Sequence, residues 1–282
     1  MEVLQVDDIT TFLEQAEPLL LAREACNNLG LGILNRLKEN ESAQSPAPYF
    51  GMVKESDEPV YVFLQTPPHN LILPDMEAVH PEMFTLIAGL LHQQGIDIPG
   101  VVGPAEAVRP FVNEWGQLTG KKAEMEMEQL IYRLDEVNSI EKGSGRLQSA
   151  DEKDVGLIKA WLIGFGTEAN VSMDEERAEE MAKDFIASRS VYLWVVDGQP
   201  VSMANQSRKS KNGVTINAVY TPDTYKRNGY ATALVAALSQ KLLHEGNHFC
   251  SLYTDQANPT SNGIYQKIGY QAVGESVMYS FR

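Results

Sequence analysis

Along the second half of the chain, the spacing of apolar residues switches repeatedly between the periods of a helix and a strand. Helices are predicted around residues 154–165 and 174–188, the second opened by an Asp-Glu-Glu cluster that suits the positive end of a helix. Residues 191–196 form a compact β-prone run. Asp197-Gly198 is a hairpin signal, and residues 201–206 return as the partner strand. Val214, Ile216, Ala218 and Tyr220 then alternate with Thr215, Asn217 and Val219, which is the period of a strand. Ala231, Leu234, Val235, Leu238 and Leu242 fall on one helical face, and Gly246 stands where that helix should end. A strand at 249–254, a short helix at 259–267 after Asn258, and one or two strands over 270–281 complete the half. The fold class is α/β, a mixed, mostly antiparallel sheet flanked by helices.

The first half has a related rhythm. Residues 12–37 read as helical, broken or kinked near Pro18, residues 49–73 carry short strands around 60–64 and 71–73, and residues 82–93 form a helix. A strand at 98–102, a helix at 105–118 and a strand at 125–134 follow. That alternation repeats what the second half does after its hairpin, so two such units in tandem are expected. The polar, Gly/Ser-rich segment 139–145 reads as the linker, dividing the chain into 1–138 and 139–282.

Composition narrows the function. With 282 residues and 43% hydrophobic content, there is apolar material for ordinary cores. A formal charge of -15 argues against nucleic acid, whose binders need a basic face. Cys26 and Cys250 make no disulfide framework, and neither stands in metal-ligand spacing. The first residues show no signal peptide, and no apolar run approaches the ~20 residues of a membrane span. A cytoplasmic protein without membrane association is expected.

Candidate chemistry concentrates after the strand that ends at Tyr220. The chain passes through Thr221-Pro222-Asp223-Thr224-Tyr225 into Lys226-Arg227-Asn228-Gly229-Tyr230-Ala231 and so into a helix. A helix N-terminus leaves its first amides unpaired and carries partial positive charge, so an anion binds there readily. Gly229 lets the backbone approach a phosphate with no Cβ in the way, and Ala231 is also small. Lys226 and Arg227 add charge. A plain left-handed turn with two solvated basic residues would show the same letters, so the loop alone leaves both readings open.

This loop resembles the signature of the GNAT acyltransferase superfamily: Gln or Arg, two residues, Gly, one residue, then Gly or Ala, opening a helix after the fourth strand. Lys226, Gly229 and Ala231 occupy those positions. Residues 252–270 are similar to the family's later motif, in which an Asn precedes the last helix and a Tyr lies within it ahead of a Gly-aromatic pair. Here these are Asn258, Tyr265 and Gly269-Tyr270. Together the motifs cover residues 146–282.

The resemblance implies acetyl-CoA as co-substrate. Its pyrophosphate would lie on the backbone amides of Arg227, Asn228, Gly229, Tyr230, Ala231 and Thr232, and its pantetheine arm along Ala218, Val219 and Tyr220. The Val219 amide would polarise the thioester carbonyl. Tyr265 would be the general acid for the departing thiolate. Asn258 would cap its helix and reach the CoA arm. Lys226 departs from the usual Gln or Arg, which implies shifted CoA contacts. For the general base, Glu168, Asp255 and a water relay stand as alternatives. The expected reaction is direct transfer of an acetyl group to a primary amine of a small molecule or peptide. A non-catalytic acyl-CoA sensor or scaffold is the alternative.

Other patterns carry less. His244-Glu245-Gly246-Asn247-His248 spells a zinc-protease motif, but Gly246-Asn247 should end the helix between the histidines, and no metal is expected. Gly30-Leu31-Gly32 lacks the third glycine of a dinucleotide site, and Cys250 reads as a buried thiol. In the first half, residues 74–81 offer no glycine and two acids where the phosphate loop would be, so that half is expected to be a degenerate unit that binds no CoA. The last strands could pair with a second chain in a homodimer.

Overall fold

The computed structural model describes residues 1–39, 46–77, 79–140, 143–169 and 171–282. Glu141 and Lys142 of the expected linker, and Ala78 before the third helix, lie outside the described residues. The chain forms two compact units, Met1–Ile131 with Val273–Arg282, and Tyr132–Ala272. The division therefore falls within a strand, ahead of the linker at 139–145, and the last ten residues go with the first unit.

The first part of the chain runs β1 (Glu2–Gln5), α1 (Ile9–Ala22), α2 (Asn28–Glu39), β2 (Tyr49–Glu55), β3 (Glu58–Gln65), β4 (Leu71–Ile72), α3 (Pro81–Gln93), β5 (Gly100–Gly103), α4 (Ala105–Thr119) and β6 (Ala123–Leu134). The second runs β7 (Arg146–Ser149), α5 (Val155–Glu168), α6 (Glu175–Ala187), β8 (Val191–Val196), β9 (Gln199–Lys209), β10 (Gly213–Tyr220), α7 (Tyr230–His244), β11 (Phe249–Asp255), α8 (Pro259–Ile268) and β12 (Gln271–Phe281). The two orders are the same, element by element: a structural repeat.

In the first unit the strands lie in the order β1-β2-β3-β4-β5-β12-β6. All pairs with a determined register are antiparallel except β4 with β5, and Val277–Ser280 of β12 pair with β5. In the second unit the order is β7-β8-β9-β10-β11, with the end of β6 beside β11; β10 and β11 are parallel and the pairs from β7 to β10 antiparallel. Phe12, Leu34, Tyr61, Phe84 and Phe111 are buried in the first unit, and Ile158, Leu162, Leu193, Met203, Leu234 and Leu252 in the second. This is the mixed, mostly antiparallel sheet with helices on its faces that the periodicity predicts.

Three details differ from the sequence reading. Pro18 sits inside α1, and the break in residues 12–37 comes past it, where the chain leaves the helix at Arg23 and starts α2 at Asn28. There Asn27 donates through Nδ2 to the carbonyls of Leu20 and Asp75, giving the turn partners that a continuous helix would not. β1 and β7 escaped detection because each has four residues with exposed ends and half-buried middles, too short to show a period. Residues 271–281 close as a single strand.

Candidate active site

Strand β10 begins between two partners and ends with one. Its parallel pairing with β11 covers Gly213–Phe249, Val214–Cys250 and Thr215–Ser251, and goes no further. Beyond it, the side of β10 toward β11 has no strand partner among the described residues from Ile216 onward. On the other side, Asn217 pairs with Asn205 and Tyr220 with Met203, so β10 takes three steps where β9 takes two. Such an extra residue is a β-bulge, and it bends and twists the strand that carries it. Ala218, in the bulge, has φ 47°, a left-handed value that a non-glycine residue adopts only at a cost of about 1–3 kcal/mol. Ser202 holds the strand beyond the bulge, its Oγ lying 2.9 Å from the Tyr220 carbonyl and 2.7 Å from Thr221 Oγ1. The result is a split between two parallel strands, with Val219 in the bulge at its edge.

The split leads to the loop before α7. Gly229, at φ 75°, is the N-cap of α7 and provides no side-chain cap. A Cβ added there would meet nothing within 4 Å. The first-turn amides of Tyr230, Ala231 and Thr232 have no partner within the helix, and the helix dipole is positive at that end. Arg227 is also left-handed, at φ 66°, and Asn228 braces the turn by donating to the carbonyls of Tyr225 and Lys226, 3.1 Å each.

Lys226 does not extend as a free cation. Its Nζ lies 2.5 Å from Glu168 Oε1 and 2.7 Å from Asp223 Oδ1, and the bonds to Asp223 and then Glu168 raise its pKa. Glu168, the last residue of α5, is thus held by Lys226. Tyr220 stands beside this group: burial, then the Glu168 charge, raises the pKa of its hydroxyl. Gly164 of α5 makes that possible, because a Cβ there would fall on the Tyr220 hydroxyl. The Trp161 ring is 6.4 Å from that of Tyr220.

Tyr265 lies within α8 and is 7% exposed. Its ring packs 6.2 Å from Tyr132 and 5.9 Å from Tyr270, and its hydroxyl has no hydrogen-bond partner among the described residues. Burial pushes its pKa up to about 12, so it is protonated at neutral pH. Asn258 is the N-cap of α8, its Oδ1 accepting from the Ser261 amide at 3.0 Å. Asp255 ends β11, and its Oδ1 accepts from the Ala257 amide at 2.8 Å. Helix α7 ends at His244, and His248 lies past Gly246, so the two histidines do not share a helix. No group of three or more His, Cys, Asp or Glu suited to a metal occurs among the described residues. Cys250 is buried, its pKa raised to about 12 by that burial. Among the described residues, no helix is long and apolar enough to cross a membrane.

Residues 192–279 match the family model described as FR47-like protein. Among solved structures, an acetyltransferase of the GNAT family from Colwellia psychrerythraea is similar over 100% of both chains, with TM-score 0.59 and 12% identity. A Drosophila protein is similar over 99% of this chain and 98% of its own, with TM-score 0.68 and 11% identity. A tandem GNAT protein from the clavulanic acid biosynthesis pathway is similar over 99% and 97%, with TM-score 0.56 and 14% identity. The fold is the GNAT fold. No curated protein matches the chain in sequence.

Within the GNAT repeat, the first unit differs from the second at each feature of this site. Its parallel pair stays closed to the end: Leu71 and Ile72 pair with Val101 and Val102, the Leu73 amide donates to the Val102 carbonyl at 2.9 Å, and a Cβ at Gly103 would strike the Leu73 carbonyl. Where α7 opens with Gly229-Tyr230-Ala231, α3 opens with His80-Pro81-Glu82, which removes one amide and adds a carboxylate. Seven residues past the N-cap, α8 carries Tyr265 and α4 carries Phe111, which has no proton to give. Asp75 after β4 pairs with Arg23 after α1 at 3.0 Å, whereas Lys226 after β10 pairs with Glu168 ending α5; the charges are exchanged.

Sequence reasoning missed Asp223, Trp161, Gly164 and the bulge at Ala218. A glycine inside an apolar helix was a signal for Gly164, since it marks a close approach; nothing in the sequence marks an alanine with positive φ.

Proposed function

We propose that the second unit transfers an acetyl group from acetyl-CoA directly to a primary amine of a small molecule or peptide, and that the first unit binds no CoA. The observation that carries this reading is the split between β10 and β11, which opens onto a helix N-terminus led by a bare glycine. Two features support a phosphate-bearing chain as the ligand. The strand edge beyond Thr215 offers backbone groups to an extended amide arm, as an added strand would find. The α7 N-terminus offers amides to an anion with room at Gly229 for close approach.

The roles proposed are those that the motif positions imply. Amides of Arg227 to Thr232 would hold the pyrophosphate, and Ala218, Val219 and Tyr220 the arm. Acetyl-CoA, when bound, supplies a thioester carbonyl that an amine can attack. The Val219 amide would polarise that carbonyl. Tyr265, protonated at neutral pH, can give a proton to the leaving sulfur and cannot serve as base. Glu168 is the candidate base, with Asp255 the alternative. The first unit, lacking the split, the glycine and the tyrosine, has a supporting role.

Titration of the purified chain with acetyl-CoA, followed by mass spectrometry of an amine panel incubated with both, tests the reading. One acetyl-CoA per chain and an amine gaining an acetyl group are expected. Absence of binding would overturn the proposal. Binding without transfer to any amine would leave an acyl-CoA-binding module in its place.

A further inference from the structure

Lys226 begins the loop whose following amides point the way to a phosphate, yet its side chain is spent on two acids. Glu168 Oε1 lies 2.5 Å and Asp223 Oδ1 2.7 Å from Nζ. One ammonium against two carboxylates leaves a net negative charge at the mouth of an anion cradle. That arrangement works against the anion unless it rearranges. It is also easily rearranged, because Lys226 is 40% and Glu168 45% exposed in their side chains, and exposed ion pairs hold weakly against competitors. A lysine reaches a new partner by rotating its flexible four-carbon stem, with no movement of the loop.

Resting on the acetyl-CoA reading above, we propose that Lys226 is a positioning residue that exchanges partners: Glu168 and Asp223 hold it in the ligand-free protein, and the pyrophosphate takes it over, releasing Glu168. A pyrophosphate concentrates more negative charge than one carboxylate and is held at the same time by the α7 amides, so the exchange runs toward the ligand. It transfers charge between the two ends of the site. The phosphate end gains a cation, and the end around Glu168, Tyr220 and Trp161 loses one. Before cofactor binding, Glu168 is paired with Lys226 and offers little to a protonated amine; afterwards it is a bare carboxylate beside Tyr220. Acetyl-CoA thus raises the affinity for a cationic acceptor, and by linkage the acceptor raises the affinity for acetyl-CoA. It also accounts for lysine at this position: a compact, mobile ammonium changes partners more readily than a guanidinium fork locked in bidentate pairing.

A double-mutant cycle on the full chain tests the exchange, with CoA as the titrant. The proteins are wild type, Glu168→Gln, Lys226→Met and the double variant. Glu168→Gln removes one of the two competitors, leaving Asp223, and should tighten CoA about two- to fivefold, the range of an exposed ion pair. Lys226→Met should weaken it about tenfold. In the double variant there is no lysine to release, so the Glu168→Gln gain should shrink to less than about 1.5-fold, since only screened charge relief remains. A gain of equal size in both backgrounds would mean general charge relief and would overturn the exchange, as would no gain in the wild-type background. Failure of every protein to bind CoA, wild type included, would overturn the acetyl-CoA reading itself.

Discussion

Replacing Gly229 with glutamate isolates the anion cradle from the rest of the fold. At φ 75° any non-glycine residue is strained, and since a Cβ there meets nothing within 4 Å, the backbone is the only cost to folding. That cost is about 1–2 kcal/mol. It should lower Tm by roughly 2–6 °C. Against a ligand the change is larger. A carboxylate about 5 Å from a phosphate charge is repelled by about 3 kcal/mol at an effective dielectric near 20. Exposure and salt reduce this to about 2 kcal/mol. The affinity for CoA should then fall about 30-fold. Gly229→Ala is the control, with the same backbone strain and no charge. Calorimetric titration with CoA at low and high salt should give the order wild type, alanine, glutamate. The gap between the two variants should narrow as salt rises, while their melting temperatures stay together. A glutamate variant that binds CoA as tightly as the alanine variant at low salt would refute the placement of phosphates at this helix.

Four further outcomes are expected. Tyr265→Phe should lower kcat by about 10²–10⁴-fold with CoA affinity unchanged. Because burial raises the folded pKa of Tyr265 to about 12 from an ordinary value of 10, its share of stability is complete below pH 10 and is lost as pH rises toward 12. Melting curves of wild type and Tyr265→Phe should therefore diverge above pH 10 in favour of phenylalanine; parallel curves would contradict the burial argument. Gly164→Ala drives a methyl onto the Tyr220 hydroxyl, so it should cost about 1–3 kcal/mol and reduce amine acetylation more than CoA binding. A chain ending at Ala272 loses the strand that pairs with β5, together with the buried Val277 and Phe281, each worth about 1.5–3 kcal/mol of burial. Its first unit should become protease-sensitive; resistance equal to the full chain would show that those residues are dispensable.

Much of the fold could be read from the residues. The alternation in 214–220, the helical face from Ala231 to Leu242 and the Asp197-Gly198 turn are local signals, and the elements appear within a few residues of where they were expected. Gly229 and Asn258 were legible for the same reason: a left-handed N-cap and an Asn cap are decided by a few adjacent residues. Edge strands β1 and β7 were not, since their pairing partners, and not their own period, make them strands.

Helix periods, turns and caps depend on neighbours along the chain, which is why most of the elements, their repeated alternation and the left-handed turn at Gly229 could be read from it. Folding alone set where β10 parts from β11 after Thr215, the bulge at Ala218, and the sharing of Lys226 between Glu168 and Asp223. It also decided that the last ten residues complete the first unit and not the second. Pairing register and partner choice are set by packing between segments distant in sequence, where a single chain carries no local record of who its neighbour will be.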